Sequence, residues 1–325
     1  MRWLVLGSLS FLVAVGCGST TPGSGFGSGG DGKDGGGLGD DGGIFNGDGS
    51  FTSGDGGTNG KNCSDAAKLV YVLSAENDLY SFSPPDKLFK KIGPLRCNTN
   101  MQPNSMAVDR DANAWVNYVQ SDQVSGQDTA GAIFKVSTAD ASCQPTNIGL
   151  PSNWFRLGMG FSTNMAMGTD ETLFVAATGS MLGTSNAPGL GRIDFGSSRL
   201  VTIGPFTGSL AGKSAELTGT GDARLFGFFT TTPVEVAEIN KSSGAIVNQK
   251  TLNGVETPAY WAFSFWGGDF YLYTAPDMLM SPTRTTNVTH YSPSSNQIDT
   301  SYMTNIGFRI VGAGVSTCAP ITPPK

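Results

Sequence analysis

Two short phrases recur five times along this chain at an almost fixed distance. The first is an apolar run before a polar turn, anchored at Phe82, Val136, Ile193, Ile239 and Tyr291. The second ends in a small polar residue: Ala107-Val108-Asp109, Gly160-Phe161-Ser162, Glu216-Leu217-Thr218, Ala262-Phe263-Ser264 and Gly314-Val315-Ser316. From each first anchor to the polar end of the next second phrase the spacing is 27, 26, 25, 25 and 25 residues. Such self-similarity marks a fold in which one supersecondary unit is copied and stacked.

The unit reads as β structure. Short Val, Ile, Phe, Tyr and Trp runs alternate with Gly, Asn, Asp, Ser and Pro, with no long helical period. A further strand lies between the two phrases, as in Ala114-Trp115-Val116-Asn117-Tyr118 and Phe270-Tyr271-Leu272-Tyr273. Four short strands per repeat match a β-propeller blade, which buries both faces only by stacking on neighbours. The chain enters on a second-type strand, Leu69–Leu73, and ends on a spare innermost strand, Val311–Ser316. Placing the spare strand in the first blade closes the ring. The expectation is an all-β, five-bladed propeller over 63–325, its first blade completed by the C-terminal strand. A β-sandwich would not explain the constant spacing.

The cysteines bear on that closure. Setting Cys17 aside leaves Cys63, Cys97, Cys143 and Cys318, an even number with three ways to pair. Cys63 precedes the first strand and Cys318 follows the last, so ring closure brings these two together. Cys97–Cys143 follows by elimination. Disulfides imply an oxidising compartment. No Cys-x-x-Cys or Cys/His cluster supports zinc.

The start of the chain names such a compartment. Arg2 is followed by an uncharged apolar run from Trp3 to Val15, then Gly16-Cys17. As a helix this run rises about 20 Å, short of the ~30 Å hydrocarbon core. The segment resembles the lipobox of bacterial lipoproteins, with Ala14 where Leu is commonest. The resemblance implies that 1–16 is a signal peptide and that Cys17 is alkylated by diacylglycerol and N-acylated. It implies anchoring in a bilayer of the bacterial envelope, most readily the outer membrane. Residues 17–62 read as a disordered tether: from Gly18 to Asn62 nineteen residues are Gly and six are Asp, too little apolar surface to offset ordering. Gly29-Gly30-Asp31-Gly32-Lys33-Asp34 starts like a calcium nonapeptide but does not recur. The repeats resemble secreted bacterial propellers that open blades with phrases like Ala107-Val108-Asp109-Arg110-Asp111-Ala112-Asn113-Ala114-Trp115. That resemblance is architectural, and the fold hosts many functions.

Chemistry is sparse. His290 is the single histidine, and it shares a polar column with Ser81, Lys135, Arg192 and Glu238, which reads as a solvated face. Asp109-x-Asp111-x-Asn113 starts like a calcium loop, but Ala114 and Gln120 break the pattern, so hydrogen bonding within a hairpin turn fits better. No nucleophile elbow accompanies any Ser. The net charge of −6 and the lack of a basic patch set nucleic acid aside. No cofactor, metal site or catalytic set is expected. The column Trp115, Phe174, Phe226 and Tyr271 reads as core between blades.

Candidate partner-binding residues lie in blade-joining loops, where function usually sits: Trp154, Phe155, Tyr260 and Trp261. Loops at 120–131, 179–190 and 274–287 should open on one face, the last carrying Met278 and Met280 around Leu279. Such groups suit contact with an envelope protein or glycan, unless they plug the ring ends. The expected function is a membrane-anchored, non-enzymatic binding or scaffold module. The alternative is an envelope hydrolase or lyase with carboxylates or a metal in the central funnel.

Overall fold

A computed structural model describes residues 63–178 and 186–324. The expected signal peptide (1–16), the tether (17–62) with Cys17, and part of the loop at 179–190 lie outside the described residues.

The strands form five four-stranded antiparallel sheets, the blades of a propeller. Blade 2 runs outward through β4 (Gln102–Val108), β5 (Asn113–Ser121), β6 (Asp128–Ser137) and β7 (Cys143–Pro145). Blade 3 holds β8 (Leu157–Thr163), β9 (Glu171–Ala177), β10 (Leu190–Asp194) and β11 (Arg199–Gly204). Blade 4 holds β12 (Ala215–Gly219), β13 (Leu225–Phe229), β14 (Glu235–Ile239) and β15 (Ile246–Thr251). Blade 5 holds β16 (Tyr260–Trp266), β17 (Asp269–Ala275), β18 (Asn287–Ser292) and β19 (Gln297–Met303). Blade 1 is the composite one. β1 (Val70–Ser74), β2 (Asp78–Ser83) and β3 (Leu88–Pro94) take their innermost partner, β20 (Ile310–Val315), from the other end of the domain. The ring closes as the repeat requires.

Both disulfides form. Cys63–Cys318 joins the two ends at the composite blade, across 255 residues of sequence. Cys97–Cys143 ties the segment leaving blade 1 to the outer strand of blade 2.

The recurring phrases now have physical meaning. The five polar ends (Asp109, Ser162, Thr218, Ser264 and Ser316) are all buried at the ends of innermost strands, and each satisfies backbone or hydroxyl groups there. Asp109 Oδ1 accepts the Asp111 and Asn113 N–H groups, closing the hairpin turn expected for this motif. Ser162 Oγ donates to the Arg224 carbonyl in the next blade, and Thr218 Oγ1 accepts the Phe265 N–H in the next. Ser316 Oγ donates to the Ala67 carbonyl, tying the last strand to the first turn. Buried backbone groups need such partners.

The aromatic and polar columns are one feature seen twice. Each aromatic pairs across the blade with a member of the polar column: Trp115 with Lys135, Phe174 with Arg192, Phe226 with Glu238, Tyr271 with His290. Tyr71 with Ser81 completes the set in blade 1. Phe174, Phe226 and Tyr271 are buried between blades as expected. The polar column is not simply a solvated face, and this corrects the expectation for His290. Its ring stacks on Tyr271 at 5.2 Å, and its Nε2 lies 2.8 Å from Asp269 Oδ2.

Candidate functional site

Because every blade runs from inside to outside, the ring has two unlike ends. Links between blades and the loops between second and third strands leave at one end, the loop end. The tight hairpins leave at the other. Between them runs the axis, where the hydrolase alternative would place its chemistry.

The axis is tightly packed. Neighbouring innermost strands touch backbone to backbone. A Cβ added at Gly158 would lie 2.0 Å from the Ala215 carbonyl oxygen, and one at Gly219 would lie 2.1 Å from that of Phe161. Among the described residues one acid is buried in this interior, Glu216 on β12, only 3% exposed. Ser105 Oγ, on β4 two blades away, donates to its Oε2 at 2.8 Å, and the Met159 N–H of the blade between also reaches it. Burial pushes the Glu216 carboxyl well above its ordinary range, against the hydrogen bonds from Ser105 and Met159. In the sequence Glu216 stands inside a repeated phrase. Its signal was there: a carboxylate standing where the other copies carry Ala or Gly. Among the described residues, no three His, Cys, Asp or Glu side chains come together as an ion site.

A second raised acid closes the hairpin end. Glu171, at the start of β9, accepts the Arg110 N–H at 2.8 Å and the Thr317 hydroxyl at 2.7 Å. It thereby links blades 1, 2 and 3. Burial raises its pKa to about 7 against these hydrogen bonds.

The loop end gathers the residues singled out from sequence, with differing fates. Trp154 is not on offer to a partner: it is 2% exposed. A 3₁₀ turn (Ser152–Trp154) tucks it between blades 2 and 3, where Gly191 leaves it room. Phe155 is half-buried, and its carbonyl accepts from the buried Asn117 side chain. Arg156 beside it is locked, forming two hydrogen bonds to Asp128 at 3.0 and 2.9 Å and a third to Asn104 at 2.8 Å. Tyr260 and Trp261 begin β16, half-buried. Tyr260 packs against the core of blades 1 and 2, and Trp261 against that of blades 4 and 5. They are chiefly plugs, although the Trp261 Nε1 is buried without a hydrogen-bond partner among the described residues. The loop expected at 120–131 is shorter, since β5 runs to Ser121 and β6 resumes at Asp128.

The loop after β17 differs. Leu279 and Met280 are 91% and 83% exposed, and Met278 41%. Beneath this tip Arg309 is 6% exposed. Its Nη2 donates to the carbonyls of Ser281, Pro282 and Arg284 at 3.0, 3.1 and 2.7 Å. The apolar tip is legible in the sequence; the guanidinium under it is not.

No family model matches the chain, and no curated protein is similar enough to count as a relative. Among solved structures, a gluconolactonase from Xanthomonas campestris is similar over 63% of this chain and 68% of its own, at 11% identity and a TM-score of 0.39. The hydrazine synthase of Kuenenia stuttgartiensis is similar over 74% of this chain and 67% of its own, at 15% identity and a TM-score of 0.37. At this distance neither carries a function across.

Proposed function

We propose that this chain is a lipoprotein of the bacterial envelope. Lipid on Cys17 and the Gly-rich tether hold the propeller to a membrane, the outer membrane being the expected one. The propeller is a non-enzymatic module that captures an envelope protein at its loop end. The observation that carries this reading is the loop held by Arg309. A charged side chain buried without a carboxylate partner among the described residues is costly, and here it fixes one loop. That loop raises Met278, Leu279 and Met280 into solvent on a rigid base. Exposed apolar groups on a held loop suit a protein surface, and Met adapts its shape to the partner.

A photo-crosslinking residue at position 279 should capture a discrete envelope protein in cells, while the same residue at Val247, exposed on the outer strand of blade 4, should not. Equal labelling from both positions would sink the reading. Crosslinked material that survives protease would point to a glycan instead. The anchor has its own test: Cys17→Ser should move the protein to the soluble fraction. The hydrolase or lyase alternative ranks lower because Glu216, the axial acid, is only 3% exposed and is held by the Ser105 hydroxyl and the Met159 N–H.

A further inference from the structure

Between blades 4 and 5, at the hairpin end, lies a groove of about 290 Å³ that none of the loop residues reach. Its floor is aromatic. Phe226, Phe265, Phe270 and Tyr291 line it, each 4–8% exposed. Phe226 and Phe265 are near-parallel at 6.3 Å, as are Phe270 and Tyr291 at 6.0 Å. Its rim is polar. Arg224 makes two hydrogen bonds to Glu238 at 3.0 and 2.8 Å, with its guanidinium 4.6 Å from the Phe226 ring centre.

One end of this groove is already occupied, by the chain itself. After Cys318 the segment Ala319-Pro320-Ile321-Thr322-Pro323-Pro324 leaves blade 1 and crosses the β16–β17 turn. The Gly267 N–H donates to the Pro320 carbonyl at 2.8 Å. Gly268, at φ +90°, lets the segment pass close: a Cβ there would lie 3.3 Å from the Ile321 carbonyl oxygen. The Ile321 side chain then packs on the aromatic cluster. One apolar side chain on an aromatic floor, one main-chain hydrogen bond and prolines that lower the entropy of ordering are the elements of extended-peptide recognition.

We infer that the groove between blades 4 and 5 is a binding site for an extended, proline-containing peptide segment with an apolar anchor, and that Ile321 is its internal competitor. The tail fills one end only. The open remainder lets a longer partner segment make more contact than the tail does. The volume falls at the low edge of the ~300–1,000 Å³ of small-ligand pockets, which suits side chains of a strand laid across it.

The test uses the full chain and a fluorescent synthetic peptide of sequence Ala-Pro-Ile-Thr-Pro-Pro, copied from residues 319–324. Ile321→Ala removes the side chain that fills one end of the groove and leaves the aromatic floor intact, and thermal unfolding checks that the ring persists. The peptide should bind Ile321→Ala saturably and at least tenfold more tightly than wild type. Replacing its Ile by Asp should weaken binding at least tenfold. Arg224→Glu, on the exposed rim, serves as a second variant and should shift affinity for peptides carrying a flanking charge. The inference is overturned if no saturable binding appears with Ile321→Ala, if wild type binds equally well, or if the Asp peptide binds as tightly.

Discussion

The joint between blades 1 and 2 and the joint between blades 4 and 5 solve the same packing problem in opposite ways. The first is crossed by Cys97–Cys143 and filled by aliphatic side chains with Tyr71, Tyr118 and Phe134. Tyr118 also donates a 2.5 Å hydrogen bond to Asn77 in the neighbouring blade. The second has no disulfide across it among the described residues. Rings fill it, and it stays open at the surface under one ion pair. The composite blade, whose strands come from opposite ends of the domain, stands beside the first joint. Strength is therefore concentrated where the ring must be closed. The far side of the ring is continuous chain and is free to carry a groove.

Four experiments would break or sharpen that contrast. The largest effect is expected from removing Cys63–Cys318 by paired Ser substitutions. Its 255-residue span gives about 5 kcal/mol in the chain-entropy model, against about 4 for the 46-residue Cys97–Cys143 span. Denaturant unfolding of both variants measures this, and equal or reversed losses would mean closure is not the weak point. At the open joint, Phe270→Ala should cost about 3–4 kcal/mol through the cavity it leaves. A loss below that of a surface substitution would show that the rings there are not core.

Next comes pH. Glu171 has a folded pKa near 7 against an ordinary 4.5, so the folded state keeps a proton that the unfolded chain releases. Glu171 alone should contribute a loss of stability on the order of 3 kcal/mol as pH rises from about 4.5 to 7, beside a loss of the same sign from Glu216. Glu171→Gln should reduce the slope of melting temperature against pH by the Glu171 share, without a matching change at the blade 4–5 joint. The smallest effect belongs to Arg224→Ala. Its side chain is 49% exposed, so breaking the pair with Glu238 should cost only about 0.5 kcal/mol. A larger loss would mean the rim braces the joint rather than flanking a groove.

The ring itself was legible because its signals are local and repeated. Phe82, Val136, Ile193, Ile239 and Tyr291 all fall on third strands, and the polar ends all fall on or just after innermost strands. Pleat and turn chemistry fix those positions within one repeat. The closing strand and the Cys63–Cys318 pair followed from counting strands at the two ends. What sequence could not give depends on neighbours across the ring. Glu216 meets Ser105 from 111 residues away: its odd place in the repeat marks the position, but the partner comes from across the ring. Arg309 is separated by more than twenty residues from the carbonyls that hold it. Trp154 looked like a loop aromatic because it is one by connectivity. Only the missing side chain of Gly191 shows that the next blade has a place for it. The groove was invisible for the same reason, since its walls come from two repeats and its occupant from the tail.

The Cys63–Cys318 bond also decides how the domain answers a mechanical load. A pull on the chain upstream of Cys63 does not peel β1 away from its neighbours one hydrogen bond at a time. At Cys63 the load divides: part follows the main chain into β1, and part crosses the sulfur bridge into the segment that follows β20. Those two strands are paired from Val70–Val315 to Ser74–Ile310, so the force enters the sheet on both sides of the ladder that closes the ring. A reducing agent should therefore turn a force-resistant clasp into one that unzips, at a load where the oxidised ring stays shut.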